Sequence, residues 1–408
     1  MNDRESEIVR TQCCIAGGGP AGMMLGFLLA RAGVNVVVLE KHADFLRDFR
    51  GNTIHPSTLE IIHELGLLSE FLARPHQEAR RLSGIIGDER VTIADFTHLP
   101  ARCRFIVLMP QWDFLDFIAG HAKRYPSFAL RMQSEATELI EENGRVTGLR
   151  ARTAAGPLSV IADLVIGADG RHSTVRRSGG LVVENIGAPI DVLWLRLKRR
   201  PDDGSEPLGR IAAVRIFLMI DRGDYWQCAL VIPKGGYEEV KRQGLEGLRA
   251  AIATVAPQMR ERLEEIREWN DVRLLTVTVD RLRQWWRPGL LCIGDAAHAM
   301  SPVGGVGINL AIQDAVAAAN ILTEPLLQSK VTSDHLKAVE RRRVFPTRAT
   351  QWLQVTVQNR ILSRVLAARS PLSPPWPVRL LSRMPLLQRI PARLVGMGFR
   401  TEHVRQPR

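Results

Sequence analysis

The feature that most constrains this chain is a glycine triplet, Gly17-x-Gly19-x-x-Gly22, set between an apolar run and a helix-like run, with Glu40 eighteen residues beyond Gly22. Residues 11–16 read as a buried strand, 23–32 as a helix closed by Gly33, and 34–39 as a second, β-branched strand. This is one βαβ unit, with parallel strands and a right-handed crossover expected. Glycines at these positions permit the tight turn and let backbone N–H groups approach a pyrophosphate at the positive end of a helix. A carboxylate at the tip of the second strand suits the hydroxyls of an adenosine ribose. The spacing by itself leaves NAD and FAD both open.

Two later motifs narrow the choice. Gly167-Ala168-Asp169-Gly170-Arg171-His172-Ser173-Thr174-Val175-Arg176 follows a strand and precedes a helix. Gly294-Asp295-Ala296-Ala297-His298 follows the strand-like 291–293, and Pro302, Gly304, Gly305, Gly307, Ile308 and Asn309 lead into an alanine-rich helix running to about residue 322. An aspartate at a strand end can hold a ribityl hydroxyl, and a glycine-rich loop feeding a helix N-terminus can offer N–H groups to a flavin ring and its pyrophosphate.

With these three motifs in this order, residues 11–345 resemble the class A, single-component FAD-dependent aromatic hydroxylases, the family with the para-hydroxybenzoate hydroxylase fold. The resemblance implies an α/β fold: a Rossmann-like FAD-binding domain, an inserted and mainly antiparallel β-sheet substrate domain, and a helical C-terminal tail. It implies that Gly17, Gly19, Gly22, Glu40 and its neighbour Lys41 bind the ADP part of FAD, and that Arg50 and Gln111 also line the cofactor site. Asp169 and its neighbours are implied for FAD and for transient docking of NAD(P)H. Asp295 would hold the ribityl chain or pyrophosphate. Backbone groups of Gly307, Ile308 and Asn309 would face the pyrimidine edge of the flavin, and Pro302 would sit over its reactive face. In this family the reduced flavin meets oxygen to give a C4a-hydroperoxide, which passes OH to an electron-rich carbon; the protein orients the substrate and excludes water. The expected activity is therefore an NAD(P)H- and O2-dependent monooxygenase acting on an aromatic or similarly electron-rich small molecule. Two alternatives stand beside it: a flavin-dependent reductase of a lipophilic, isoprenoid-like substrate, and a non-catalytic FAD-binding protein held at a membrane.

Residues 1–80, 98–180 and 270–345 are expected to form the FAD-binding domain, 81–97 and 181–269 the substrate domain, and 346–408 a basic helical region. Residues 146–152 and 158–166 read as paired strands with Glu142-Asn143-Gly144 as their turn, 238–266 as helical, and 274–279 as a strand. Strand alternation makes Trp194, Arg196, Ile216, Leu218, Trp226 and Gln227 candidates for the substrate pocket, the two tryptophans foremost. His298 lies inside a cofactor motif and is read as structural. His55, His63 and His172 are read as surface or packing residues. A second GxGxxG and a Trp-x-Trp-x-x-Pro signature are both missing, which argues against two-dinucleotide reductases and flavin halogenases.

The five cysteines form no CxxC pair and no metal-ligand spacing, so reduced, core-packed thiols and no metal are expected. The start of the chain is polar and unlike a signal peptide, and the richest apolar run, 21–32, carries Arg31 and is too short for a bilayer. A cytoplasmic protein is the expectation. The net charge of +12 is confined to one end: from residue 341 onward there are fourteen arginines, no lysine and one acid, Glu402. One reading packs this region on the body with its arginines solvated or paired. The sharper reading is peripheral contact with an anionic membrane surface. Nucleic acid is not expected as a partner, because the basic region has few aromatics and no known binding motif.

Overall fold

In the computed structural model, which describes residues 7–46, 51–203, 209–212, 215–362, 365 and 373–405, the first apolar run is strand β1 (Glu7–Ala16), with Cys13–Ala16 fully buried. Helix α1 (Pro20–Arg31) follows, and β2 (Val36–Leu39) returns parallel to β1, with Cys13 opposite Val36 and Ala16 opposite Leu39. The other edge of β1 runs parallel to Gly156–Gly167, which pairs in parallel with Leu290–Cys292; Phe128–Arg131 lies parallel outside β2. Every motif-bearing strand is thus central, and their C-terminal ends lie along one edge, where ligands of open α/β sheets bind. Strands buried on both faces need helices on both. Here α1, flanked by Gln111–Ala122 and Gly307–Leu327, supplies one such layer. Burial of Met23, Met24, Leu25 and Leu29 on α1 contributes about 1.5–3 kcal/mol per side chain.

A second sheet has seven strands in the order Arg273–Leu275, Ile190–Lys198, Tyr225–Pro233, Arg215–Asp221, Gly209–Ala212, Arg81–Ile86, Glu89–Asp95. Its pairings are antiparallel except for Gly209–Ala212 with Arg81–Ile86. One face, including Leu193, Leu195, Phe217, Trp226, Cys228 and Leu230, packs on the helix Gly244–Val255 and the 3-10 turns Pro257–Glu265. The opposite face carries Val192, Trp194, Ile216, Leu218, Ala229 and Val231.

Several local expectations change. Asn143 and Gly144, at φ 50° and 76°, turn Ser134–Glu142 into Arg145–Thr153, so the hairpin turn precedes the strand pair it was expected to join; Thr153 and Gly156 close the second hairpin. The single helix expected over 238–266 is broken at Gln243 and at Pro257, where proline starts a new turn. The strand expected over 274–279 is divided. Arg273–Leu275 joins the seven-stranded sheet, while Asp280–Leu282 pairs with Val183–Asn185 and His298–Ala299. The alanine-rich helix starts two residues before Asn309 and reaches Leu327. Among the described residues it lies in the one segment, Val303–Leu327, long and apolar enough to cross a membrane by composition, and most of that segment is buried as a core helix.

All five cysteines are free and buried. Burial pushes the Cys14 thiol up to about 12 and raises Cys13, Cys228 and Cys292 well above the ordinary range, which leaves them protonated and inert at neutral pH.

Candidate active site

The glycine turn at the end of β1 is shaped by close contacts. Gly17 has φ +103°, and a Cβ there would lie 2.4 Å from the Ala168 carbonyl oxygen; a Cβ on Gly22 would lie 2.0 Å from the Gly17 carbonyl oxygen. Gly17 and Gly22 therefore let the turn press against the end of Gly156–Gly167 and let α1 begin immediately. Gly19 differs: nothing lies within 4 Å of its Cβ position, so this side of the turn faces open space. No side chain caps α1, whose first turn holds no acid. Its early N–H groups have no intrahelical partners and point at that space.

Glu40 closes the cradle. Its carboxylate accepts the Gly18 N–H at 3.0 Å and the His42 N–H at 3.0 Å, and the residue is only 6% exposed. Lys41 beside it is exposed. An open, uncapped helix terminus flanked by a fixed carboxylate is the donor and acceptor set that an adenosine ribose and pyrophosphate require, so these residues fit the ADP end of FAD. Replacing Glu40 with Ala is expected to weaken FAD binding about ten- to a hundredfold, as loss of charge-assisted hydrogen bonds predicts. Flavin-fluorescence titration of the apoprotein is the check, and unchanged affinity would remove Glu40 from the site.

The second motif works mainly on itself. Asp169 accepts from Ser173 Oγ at 2.5 Å and from the N–H groups of Thr174 and Val175 at 2.7 and 3.1 Å, so it caps the short helix Thr174–Ser178. Burial raises its carboxyl despite these bonds. Arg176 ties the loop onward, donating to the Arg171 carbonyl and, at 3.5 Å, to Asp280 and the Ala296 carbonyl. Arg171 in turn stands 3.8 Å from Asp295, which is about one-third exposed and lies in the turn Gly294–Ala296. The second and third motifs therefore meet.

The loop before the long helix is stitched to the strand Gly51–Ile54. Asn309 Oδ1 accepts from the His55 N–H and Thr58 Oγ1, both at 2.8 Å, and its Nδ2 donates to the Thr53 and Gly305 carbonyls. Thr53 Oγ1 also donates to the Gly305 carbonyl at 2.9 Å. The side chain of Asn309 is a structural staple, and the first-turn N–H groups of half-buried Gly307 and Ile308, again uncapped, are left for an acceptor. Pro302 is half-buried at the start of this loop. Gln111 opens its helix next to Pro110, which pairs with Gly51. Arg50 lies outside the described residues.

His298 is buried and structural. Its Nε2 meets Asp314 Oδ2 at 2.6 Å, its ring lies 5.0 Å from that of Trp285, and Asp314 also accepts from Arg343 Nε at 2.8 Å. Arg343, wholly buried, reaches Glu402 at 3.1 Å, and the Gly294 N–H donates to Asp314. Burial pushes the Asp314 carboxyl up, but His298 and Arg343 outweigh it and hold the group below the usual carboxylate range. This network was missed in the sequence; its one local signal is Asp314 inside an otherwise alanine-rich run. His55, also wholly buried, pairs through Nδ1 with the Val395 carbonyl at 2.7 Å, and burial lowers it to about 4.

The two tryptophans do not share a pocket. Leu197 opposes Trp226 and Ala229 opposes Trp194 in the register, and successive residues alternate faces. Trp226 is buried on the helix-covered face with Nε1 donating to Asp203 at 2.8 Å, so it is a core residue and cannot line a pocket on the other side. Trp194, Ile216 and Leu218 lie on the opposite face, which alternation also gives to Arg196 and Gln227. Gln227 Oε1 accepts from Arg222 Nε at 3.0 Å, and both terminal amino groups of Arg222 are buried with no hydrogen-bond partner among the described residues.

Comparison with known proteins places this geometry in context. The family described as FAD binding domain matches residues 10–353. The 6-methylpretetramide 4-monooxygenase of Streptomyces rimosus is 32% identical over 402 residues, covering 97% of this chain and 94% of that protein. The p-nitrophenol 4-monooxygenase PnpA of Pseudomonas putida DLL-E4 shares the fold, with a TM-score of 0.76 at 19% identity over 97% of this chain and all of that one. A dialkyldecalin synthase of Streptomyces rugosporus is 28% identical over 74% of this chain, which spans 63% of that protein.

Proposed function

Because the chain belongs to the FAD binding domain family and is an FAD-dependent monooxygenase of the aromatic hydroxylase type, we propose that its substrate is a fused-ring, oxygen-rich aromatic compound of the 6-methylpretetramide kind. The observation that carries this reading is similarity along nearly the whole length of a monooxygenase named for that substrate. The chemistry supplied by FAD, once bound, is acceptance of hydride from NAD(P)H and activation of dioxygen for transfer to carbon.

The rest falls to the chain. In this reading the parallel sheet serves FAD and the seven-stranded sheet serves the substrate. Glu40 and the first turn of α1 would hold the ADP end, and Asp295 and Arg171 would be placed for its pyrophosphate or ribityl part. The uncapped N–H groups of Gly307 and Ile308, at the positive end of a long helix, would offer donors to the anionic part of the flavin. Pro302 and the stapled loop behind it would border the flavin's reactive face with rigid backbone. Trp194, Ile216 and Leu218 offer a flat apolar wall to fused rings, and Arg222 beside Gln227 offers buried donors to an oxygen-rich edge.

The test is turnover of a fused-ring phenol under 18O2 with NADH or NADPH. One labelled oxygen per product molecule, with one NAD(P)H consumed per product, is the expected result. Substrate reduced without oxygen uptake would overturn it in favour of a reductase, and bond-forming cyclisation without NAD(P)H would place the chain beside the dialkyldecalin synthase.

A further inference from the structure

The two C-terminal helices, Trp376–Arg383 and Pro385–Gly396, have an inner face that the fold explains and an outer face that it does not. In the second helix Gln388, Ala392 and Gly396 recur at four-residue spacing and are buried, Ala392 and Gly396 packing towards Phe96 and Leu99. Gln388 Nε2 donates to the carbonyls of Leu381 and Ser382 and so joins the two helices, while Arg379 pairs with Glu89. Leu386 and Ile390 precede Gln388 and Ala392 by two residues, which puts them about 200° around the helix, facing outward. They are 65% and 60% exposed. In the first helix and just beyond it, Trp376, Leu380 and Met384 form another four-residue stripe and are 75%, 43% and 43% exposed.

Apart from the Arg379–Glu89 pair, the charge on this face has one sign. Arg383, Arg389 and Arg393 are exposed, none has a carboxylate partner among the described residues, and no acid occurs between residue 341 and Glu402. A second copy meeting the same face would bring arginine against arginine. Nucleic acid phosphates would satisfy the arginines and leave five large apolar side chains in water. An anionic bilayer surface satisfies both, with apolar side chains reaching the acyl boundary and guanidinium groups at the headgroups.

We propose that the outer face of these two helices docks the enzyme on an anionic lipid surface. This goes beyond the reaction, and its position gives it a use. The inner face of the same helix pair touches the active-site loop, because Val395 accepts from the buried His55 and its side chain borders Gly304. A lipophilic aromatic substrate dissolved in the bilayer would arrive about one helix thickness from the site.

The test uses the FAD-loaded full chain and flotation with vesicles of phosphatidylcholine and phosphatidylglycerol at two to one, against phosphatidylcholine alone. The protein should float with the anionic vesicles and stay behind with the neutral ones. The double variant L386S/I390S should reduce the floated fraction about tenfold while keeping flavin content and NAD(P)H oxidation. W376F should still float but lose part of the blue shift in tryptophan emission on vesicle addition. No flotation at low salt would overturn the proposal, as would flotation of L386S/I390S equal to the parent's. Sedimentation showing a dimer that this variant dissolves would assign the face to a second copy instead.

Discussion

Replacing Arg343 with Met is expected to destabilise the protein by about 3–5 kcal/mol, the largest loss anticipated from a side chain remote from the cofactor. Arg343 is wholly buried and holds Asp314 through Nε and Glu402 through Nη1, so its removal takes away the guanidinium the two carboxylates share and leaves only His298 beside Asp314 and Arg342 beside Glu402. Methionine fills much of the volume, which makes the lost ion pairs the dominant loss. Urea denaturation at neutral pH measures it, and a change below about 1 kcal/mol would show that the network carries little of the fold. The pH dependence has a defined sign. Asp314 binds its proton more weakly in the folded state than in the unfolded chain, so its contribution is fully present above the ordinary aspartate value of about 4 and is lost as pH falls through the lower folded value. In R343M protonation of Asp314 removes a buried charge that has lost its guanidinium, so the stability gap from the parent should narrow as pH is lowered.

Replacing Gly22 with Ala should yield protein that is purified nearly colourless, with FAD affinity lowered at least about a hundredfold, or about 2.8 kcal/mol. The new Cβ would lie 2.0 Å from the Gly17 carbonyl oxygen, and backbone on both sides has little freedom to yield. Gly17 at φ +103° cannot move without leaving the end of Gly156–Gly167, so the strain is transmitted to the turn that faces the pyrophosphate. Gly19→Ala is the control: its Cβ meets no protein atom and should leave folding intact while narrowing the open side of the turn. Thermal melts of both apoproteins separate lost folding from lost binding, and a G22A protein that binds FAD normally would sink the assignment.

Local, contiguous features were readable in the sequence. The turn at Gly17–Gly22 was legible because its requirements fall within a few residues, and Glu40 because a strand of known length separates it from the helix. The inserted sheet showed itself by alternation, but alternation names two faces without saying which one a helix covers. Trp226 was misplaced for that reason, since the cover comes from Gly244–Val255 and the turns that follow it. The Asp314–Arg343–Glu402 network was invisible because its members are far apart in sequence and each looks like an ordinary solvated charge. Asp169 had a plausible ligand role at a strand end, yet competing donors in its own loop, Ser173, Thr174 and Val175, claim both carboxylate oxygens.

The order of strands in the parallel sheet also bears on how the chain is made. β1 leaves the ribosome well before its neighbour Gly156–Gly167 and the adjoining Leu290–Cys292. At elongation speeds of about 5–20 residues per second, roughly fifteen to fifty seconds separate the emergence of Ala16 from that of Cys292. Until Gly156–Gly167 emerges, Cys13–Ala16 have only β2 to pair with, and that later strand then waits in turn for Leu290–Cys292, while α1 has Gln111–Ala122 but not yet Gly307–Leu327. The nascent chain therefore presents a sticky, half-built sheet edge, and the yield of soluble enzyme should depend on holdase chaperones and slow translation more than on the stability of the finished fold.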